Sequence, residues 1–140
     1  LYRSGAGLTP RPLRRIASGG ELSRVMLASK VVLGNADGVD TLVFDEVDAG
    51  VGGSTARALA GVLADLAATH QVIVVTHLAQ VAVMADKHYV VSKEPGDIPQ
   101  THLDEVTGEA RIAEIARMLS GDQSEASLAH AKQMLEEARG

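Results

Sequence analysis

Residues 41–53 have the sequence TLVFDEVDAGVGG, in which a short apolar run ends abruptly in two adjacent acids, Asp45 and Glu46. Such a run predicts a buried β-strand with the acids at its C-terminal tip. Adjacent carboxylates repel each other and resist burial unless a cation neutralises them. Mg²⁺ would meet that need, since it takes one or two carboxylates together with water and phosphate oxygens. Taken alone, the pattern fits equally well a strand that runs out into solvent.

Two further patterns carry chemistry only in combination with the acidic pair. Residues 18–21, Ser-Gly-Gly-Glu, stand at the start of an amphipathic stretch, where glycines allow close approach and free backbone N–H groups favour an anion. His77 follows the apolar run 72–75, with one threonine between them. An imidazole at this position could donate to a phosphate or polarise a water. Each has a plainer interpretation when taken singly, the first as an N-cap and the second as a strand cap.

The order of predicted elements indicates an α/β fold built mainly on a parallel sheet, with ligands at the carboxyl ends of the strands. The first helix begins at residues 18–20, closes at 34–35, and is expected to bury Leu22, Val25, Met26, Ser29 and Leu33. The other predicted helices cover about residues 54–69, 78–85, 109–119 and 124–139, and the predicted strands cover residues 41–44, 72–75, 89–91 and 100–106.

Composition limits the function classes. The 140 residues contain no cysteine, which excludes disulfides and thiolate metal sites, and only three aromatic residues, which argues against stacking on single-stranded bases. The net charge is −5, and the exception is a basic N-terminal stretch with Arg3, Arg11, Arg14 and Arg15. The apolar runs are shorter than a membrane span. We expect His70, His88, His102 and His130 to be surface residues, since their spacing matches no metal site.

The order of these motifs resembles the second half of an ABC-type ATPase head, with its signature motif, Walker B strand, D-loop and switch histidine. The stretches ASGGELSR (17–24), FDEVDAGVGG (44–53), VTHLAQV (75–81) and IARMLSG (115–121) resemble the RecN family of SMC-like DNA repair ATPases. The resemblance covers about residues 10–137. Val51-Gly52 replaces the Leu-Asp with which most related heads end the loop, and Ala17 replaces the usual Leu. Both departures favour RecN over a transporter.

The resemblance implies a partial P-loop, ABC-type head, with residues 1–140 as its C-terminal lobe, and a role for each motif residue. Asp45 would hold Mg²⁺, Glu46 would activate the hydrolytic water, and His77 would sense the γ-phosphate. Asp48 would belong to the D-loop that crosses to a partner head. The signature motif would bind the ATP of that partner head through Ser18, Gly19, Gly20 and Glu21.

The implied function is recombinational repair of DNA double-strand breaks, with ATP bound and hydrolysed between two heads of a homodimer. No Gly-x-x-x-x-Gly-Lys-Ser/Thr loop occurs in the sequence, so the phosphate cradle is expected in the protein's own N-terminal head half. This chain alone would then be inactive and leave an apolar sheet edge exposed. The full-length protein would bind DNA at the nucleoid in the cytoplasm, and no membrane would be a partner.

Three alternatives stay open on the sequence. The chain could come from another SMC-like or RecF-like ATPase, which the upstream sequence would decide. It could be a non-catalytic dimerisation or DNA-docking lobe, for which the basic N-terminal stretch is the support. A hydrolase built on Ser18, His77 and Asp45 is disfavoured, because no Gly-x-Ser-x-Gly elbow precedes a helix.

Overall fold

The computed structural model describes residues 9, 19–34, 38–94 and 100–138. The chain divides into two compact units, residues 1–76 and residues 77–140. The basic residues Arg3, Arg11, Arg14 and Arg15 lie outside the described ranges. None of the helices within those ranges combines the length and the apolar character needed to cross a bilayer.

The first unit is a strand–helix–strand arrangement preceded by a helix. Its elements are α1 (Gly19–Leu33), β1 (Thr41–Asp45), α2 (Gly53–Ala67) and β2 (Gln71–Val75). The two strands pair in parallel, with Leu42 opposite Val72 and Phe44 opposite Val74. The crossover through α2 brings their carboxyl ends to one edge, as parallel pairing requires. The predicted parallel pairing around the acidic pair is confirmed.

One face of this small sheet is covered and the other is open. Leu42 and Phe44 of β1 are buried. The spacing of Ala56, Leu59, Ala60, Leu63 and Leu66 predicts the inner face of α2, and all of them are buried except Leu59, which is half-buried. Val43, by contrast, is 63% exposed and Ile73 47% exposed. The predicted burial of the strands therefore holds for one face only, because the described residues cover only one side. The sequence predicted an exposed apolar edge of the sheet, whereas these exposed apolar side chains lie on its other face.

The buried side of α1 differs from the predicted one. Gly20 and Leu27 are buried, whereas Leu22, Met26 and Leu33, which were expected to face the core, are exposed. The physical reason is the close approach of the helix to the loop after β1. That contact requires a glycine at the interface and so fixes the rotation of the helix about its axis.

The second unit pairs a hairpin with a helical layer. Its elements are α3 (Ala79–Ala82), β3 (His88–Glu94), β4 (Gln100–Val106), α4 (Gly108–Ser120) and α5 (Glu125–Glu137). The third strand was expected to extend the parallel sheet, and that expectation is wrong. β3 pairs antiparallel with β4 in a sheet of their own. Only five residues of sequence join the two strands, too few for the crossover that a parallel pair needs.

The helices of the second unit enclose their own core. The buried cluster consists of Ala79, Ala82, Val83, Ile115, Ala116, Ala131 and Leu135. The predicted helix ends are confirmed: α4 stops at Gly121, which has a φ of 76°, and Ser124 caps α5 by accepting from the Ser127 N–H.

The histidines do not all lie at the surface. His70 is buried at the end of α2, where its backbone N–H donates to Leu66 and its Nδ1 lies 2.9 Å from the Thr69 hydroxyl oxygen. The prediction for this residue is therefore wrong. The reason is local: the turn that ends α2 folds the residue back onto the helix.

Candidate functional site

The loop after β1, residues 45–51, is here called the acid loop. Asp45 is the last residue of β1, and Glu46 follows with a φ of 55°, so it adopts the left-handed conformation. It is the one non-glycine residue with positive φ in the described ranges. The Ala49 N–H closes a turn on the Glu46 carbonyl oxygen at 3.0 Å, and the Val51 N–H closes another on Asp48 at 3.0 Å. The strand thus reverses immediately after the acidic pair, and both acidic residues remain exposed.

The middle of the acid loop is anchored inside the first unit. Val47 is fully buried and Asp48 is 1% exposed. The Asp48 carboxylate accepts a hydrogen bond from the Thr76 hydroxyl at 2.5 Å. Burial of a carboxylate needs such a partner. Thr76 directly follows β2 and precedes His77 in the sequence. The hydrogen bond to Asp48 therefore links the acid loop to the residue before His77.

The start of α1 packs on the acid loop through its two glycines. A Cβ added at Gly20 would lie 2.7 Å from the Glu46 carbonyl oxygen and 2.8 Å from the Ala49 Cβ, which is closer than a side chain tolerates. A Cβ added at Gly19 would collide with the Glu46 carboxylate. A negative group near a helix N-terminus is favoured by the helix dipole. The sequence predicted a backbone approached by a ligand at these glycines; the close neighbour in this chain is its own acid loop.

Two residues of α1 that the sequence motifs did not single out hold the same loop. The Ser23 hydroxyl donates to the Asp45 carbonyl oxygen at 2.5 Å. The Arg24 guanidinium donates to the carbonyl oxygens of Val47 at 3.1 Å and Ala49 at 2.8 Å. The sequence does contain a signal for Arg24, because it stands four residues after Gly20 and three before Leu27, on the buried side of the helix.

The structure brings together part of the predicted set. Asp45, Glu46, Asp48, Gly19 and Gly20 all lie in or against the acid loop. Glu21 is half-buried in the first turn of α1, and His77 is exposed just beyond β2. Ser18 lies outside the described residues.

The residues at the tip of β1 fit a magnesium ion better than a metal held wholly by protein. Within the described ranges, no three His, Asp or Glu side chains gather as a ligand set. Asp45 and Glu46 instead offer two adjacent, exposed carboxylates. Mg²⁺ is commonly bound in this way, with water and phosphate oxygens completing its shell.

The second unit contains a cavity of about 150 Å³, lined by Asp86, Lys87, His88, Glu105, Val106, Thr107, Gly108 and Arg111. Burial lowers the pKa of His88, the Arg111 charge lowers it further, and the Glu114 charge opposes both. Ligand pockets usually enclose several hundred Å³. This cavity is smaller, mixes both signs of charge and carries none of the sequence motifs. The acid loop is therefore the better candidate site.

Comparison with known proteins supports the family that the sequence motifs resemble. No family model matches the chain. A DNA repair protein RecN from Treponema pallidum (strain Nichols) is 53% identical over 137 residues, which cover 96% of this chain and 24% of that protein. The RecN of Deinococcus radiodurans is 57% identical over 125 residues, covering 89% and 22%. That of Mycobacterium leprae (strain TN) is 52% identical over 139 residues, covering 99% and 24%.

Over this segment, the chain belongs to the RecN family. It spans about a quarter of the length of the RecN proteins that it matches. The predicted family is thereby confirmed.

The fold comparison supports the predicted architecture. A chain from a structural study of "ATP-driven dimerization and DNA stimulated activation of SMC ATPases" superposes with a TM-score of 0.52 at 22% identity, over 89% of this chain and 63% of that one. The RecN segment therefore has the fold of part of an SMC-type ATPase head, and the predicted fold class is confirmed.

Proposed function

We propose that residues 1–140 form the C-terminal lobe of an ATPase head, in a RecN protein that uses ATP in the recombinational repair of DNA double-strand breaks. The observation that carries the proposal is the acid loop. It presents two exposed carboxylates at a strand tip, holds Glu46 in a left-handed turn, and packs against the glycine turn of α1. Backbone strain of this kind persists where the surrounding structure enforces it, and it concentrates at functional sites.

Each residue has a distinct part in this proposal. Asp45 would hold Mg²⁺, and the ion, when bound, would neutralise phosphate charge. Glu46 would orient the attacking water and accept its proton, since a water becomes a nucleophile only when a base lies within reach. His77 would donate to the γ-phosphate. Asp48, buried on Thr76, would act in this chain by holding the segment next to His77.

The trans half of the site would be the start of α1. Ser18, Gly19, Gly20 and Glu21 would contribute to binding the ATP held by a second head, because free N–H groups at a helix start attract phosphate oxygens. The relatives' name supports a role in DNA repair. The ATP-driven dimerization and DNA stimulated activation of the similar SMC ATPases support pairing of heads. For this protein, the homodimer, its contact with DNA and its place at the nucleoid in the cytoplasm belong to the proposal.

The head half that carries the phosphate loop would cover the open face of the first unit. Val43, Ile73 and Val75 form exposed apolar positions on β1 and β2, and Met26 and Val32 are exposed on α1. Apolar patches of this kind mark surfaces that another segment covers. About three-quarters of the length of the RecN relatives lies outside the matched segment. Part of that length would supply the cover.

The test is ATP turnover by the full-length protein with Glu46→Gln. We expect the variant to bind ATP and hydrolyse it at least ~100-fold more slowly, because the amide cannot accept the proton. Glu136→Gln, at an exposed position on α5, serves as the control and should turn over at the wild-type rate.

If Glu46→Gln hydrolyses ATP as fast as the wild type, the proposed role of the acid loop is wrong. Salt-sensitive DNA binding that is weakened by Arg14→Ala with Arg15→Ala, together with no turnover in the wild type, would instead favour the docking-lobe function.

A further inference from the structure

The first two turns of α1 hold the backbone of the acid loop from one side. Gly20 approaches the Glu46 carbonyl oxygen, Ser23 donates to the Asp45 carbonyl oxygen, and Arg24 donates to those of Val47 and Ala49. The contacted carbonyl groups belong to residues on both sides of Glu46 and to Glu46 itself. These contacts therefore define the path of the backbone through the residue that carries the proposed base.

Glu46 needs such support because its conformation is unfavourable. In the left-handed region the Cβ of a residue lies too close to the carbonyl oxygen that follows it, so this conformation is less favourable than the right-handed one. A hydrogen bond from a charged donor stabilises more than one between neutral groups. The Arg24 guanidinium is half-buried and donates to two carbonyl oxygens through one nitrogen, at 3.1 and 2.8 Å. Those two bonds hold the backbone just after Glu46 and so oppose that strain.

The contacts of Arg24 direct its Nη1 at the main chain of the acid loop. Both of its hydrogen bonds end on main-chain oxygens within the first unit, and its guanidinium lies against Gly20 in the glycine turn. An arginine used for phosphate would direct its forked N–H groups at the ligand. Its contribution to hydrolysis would thus pass through the position of the loop.

We infer that Arg24, assisted by Ser23, is a positioning residue that sets the direction of the Glu46 carboxylate and makes it move with the first turn of α1. The inference rests on the proposed function, in which that turn meets the phosphate of the partner head. A shift of the helix start would then be transmitted through Gly20 and Arg24 to the base. Displacement of a catalytic group by about 1 Å can lower a rate about 100-fold.

The kinetic test uses the full-length protein with Arg24→Met, which keeps the apolar stem and removes the donors, and with Arg24→Lys, which keeps a charged donor. We expect Arg24→Met to lower kcat about 10- to 100-fold with the KM for ATP within about twofold, and Arg24→Lys to recover part of the loss. Arg57→Met, at an exposed position on α2, is the matched control. A raised KM with unchanged kcat would overturn the inference.

A double variant separates positioning from general damage to the fold. If Arg24 acts through Glu46, then Arg24→Met should slow single-turnover hydrolysis by less than about twofold in a Glu46→Gln background. If the loss of rate is the same in both backgrounds, Arg24 has only a structural role. Should Arg24→Met fail to fold, Arg24→Lys in the same two backgrounds decides the question.

The contacts of Gly20, Ser23 and Arg24 with the acid loop are here called the clamp. Amide hydrogen exchange in the full-length protein without ATP tests the clamp without any reliance on ATP hydrolysis. The Ala49 N–H is bonded to the Glu46 carbonyl oxygen, so it reports the turn directly. Arg24→Met should speed its exchange at least tenfold while the amides of α2 change little. Unchanged exchange at Ala49 would refute the clamp. If Arg24→Met speeds the exchange of Ala49 but the wild-type protein hydrolyses no ATP, the clamp is supported and the proposed function is refuted.

Discussion

The two units of the chain bury their apolar residues to very different extents. In the second unit, Ile115 is completely buried in a cluster that the unit's own helices enclose. In the first unit, Ile73 in β2 is 47% exposed, and its neighbour Val43 in β1 is 63% exposed. The unit that carries the acid loop is therefore the one that lacks a complete core. Among the described residues, the acid loop lies at the edge of a sheet that has one exposed apolar face.

Each unit also contains an arginine that donates hydrogen bonds to main-chain carbonyl oxygens, but the two arginines support different parts of the structure. Arg111 donates to the carbonyl oxygens of Ala82, Val83 and Ala85, so it satisfies the end of α3 within the second unit. Arg24 donates to two carbonyl oxygens of the acid loop. The first supports a closed core, and the second supports the segment that carries Asp45 and Glu46.

The largest effect on stability should come from Ile115→Ala. Removal of a fully buried isoleucine side chain costs about 2–5 kcal/mol, because the cavity collapses only partly. Ile73→Ala should cost less than about 1 kcal/mol in this chain, since that side chain is half-exposed. Urea unfolding followed by far-UV circular dichroism gives both values. In the full-length protein the cost of Ile73→Ala should rise above about 2 kcal/mol. If Ile73→Ala destabilises the 140-residue chain and the full-length protein equally, the rest of the protein does not cover this face of the sheet.

The next largest effect is expected for Arg111→Met. Three main-chain carbonyl oxygens lose a charged donor in a buried setting, which should destabilise the second unit by about 2–3 kcal/mol. Arg117→Met, on the same helix, is the matched control. Arg117 is exposed and pairs with Glu114 at 2.6 Å, so its loss should cost less than about 1 kcal/mol. Equal destabilisation by the two variants would show that burial of Arg111 is not what matters.

The smallest effect concerns Asp122 in the turn between α4 and α5. Hydrogen bonds from Ser127, Ser124 and Ser120 lower the pKa of Asp122 to about 2 from an ordinary 3.8. Because the folded state favours the carboxylate, its contribution to stability is present above about pH 4 and is lost as the pH falls through about 2. Asp122→Asn should therefore lower the urea midpoint at pH 6, and the difference from wild type should shrink as the pH falls and vanish below about pH 2. A difference that is independent of pH would mean that the charge has no role.

Local patterns predicted most of the elements and the loop on which the candidate site is proposed. The apolar run before Asp45 predicted β1, and Gly121 predicted the end of α4. The spacing of Ala56, Leu59, Ala60, Leu63 and Leu66 predicted the inner face of α2, on which Leu59 alone is only half-buried. These signals are local, because each depends on side-chain period or on the conformation of one residue. The order of the acids, the glycines and His77 along the chain then narrowed the choice of family.

The features that the sequence did not predict depend on neighbours distant along the chain. The apolar residues of α1 suggested one buried side, but packing of Gly20 on Ala49 set another. The pairing partner of β3 could not be inferred from its own residues, since periodicity is the same in parallel and antiparallel pairs. Asp48 was assigned to a crossing loop by resemblance, whereas its burial on Thr76 joins residues far apart in the sequence and leaves no local pattern.

The left-handed conformation of Glu46 has a consequence for laboratory evolution. Glycine or asparagine would adopt a φ of 55° at lower cost, so both replacements should make the first unit more stable while removing the proposed base. A library screened for heat resistance alone would enrich such inactive variants at this position. A screen that also demands turnover would keep the glutamate, and the difference between the two selected populations would reveal how strongly stability and activity conflict at this one residue.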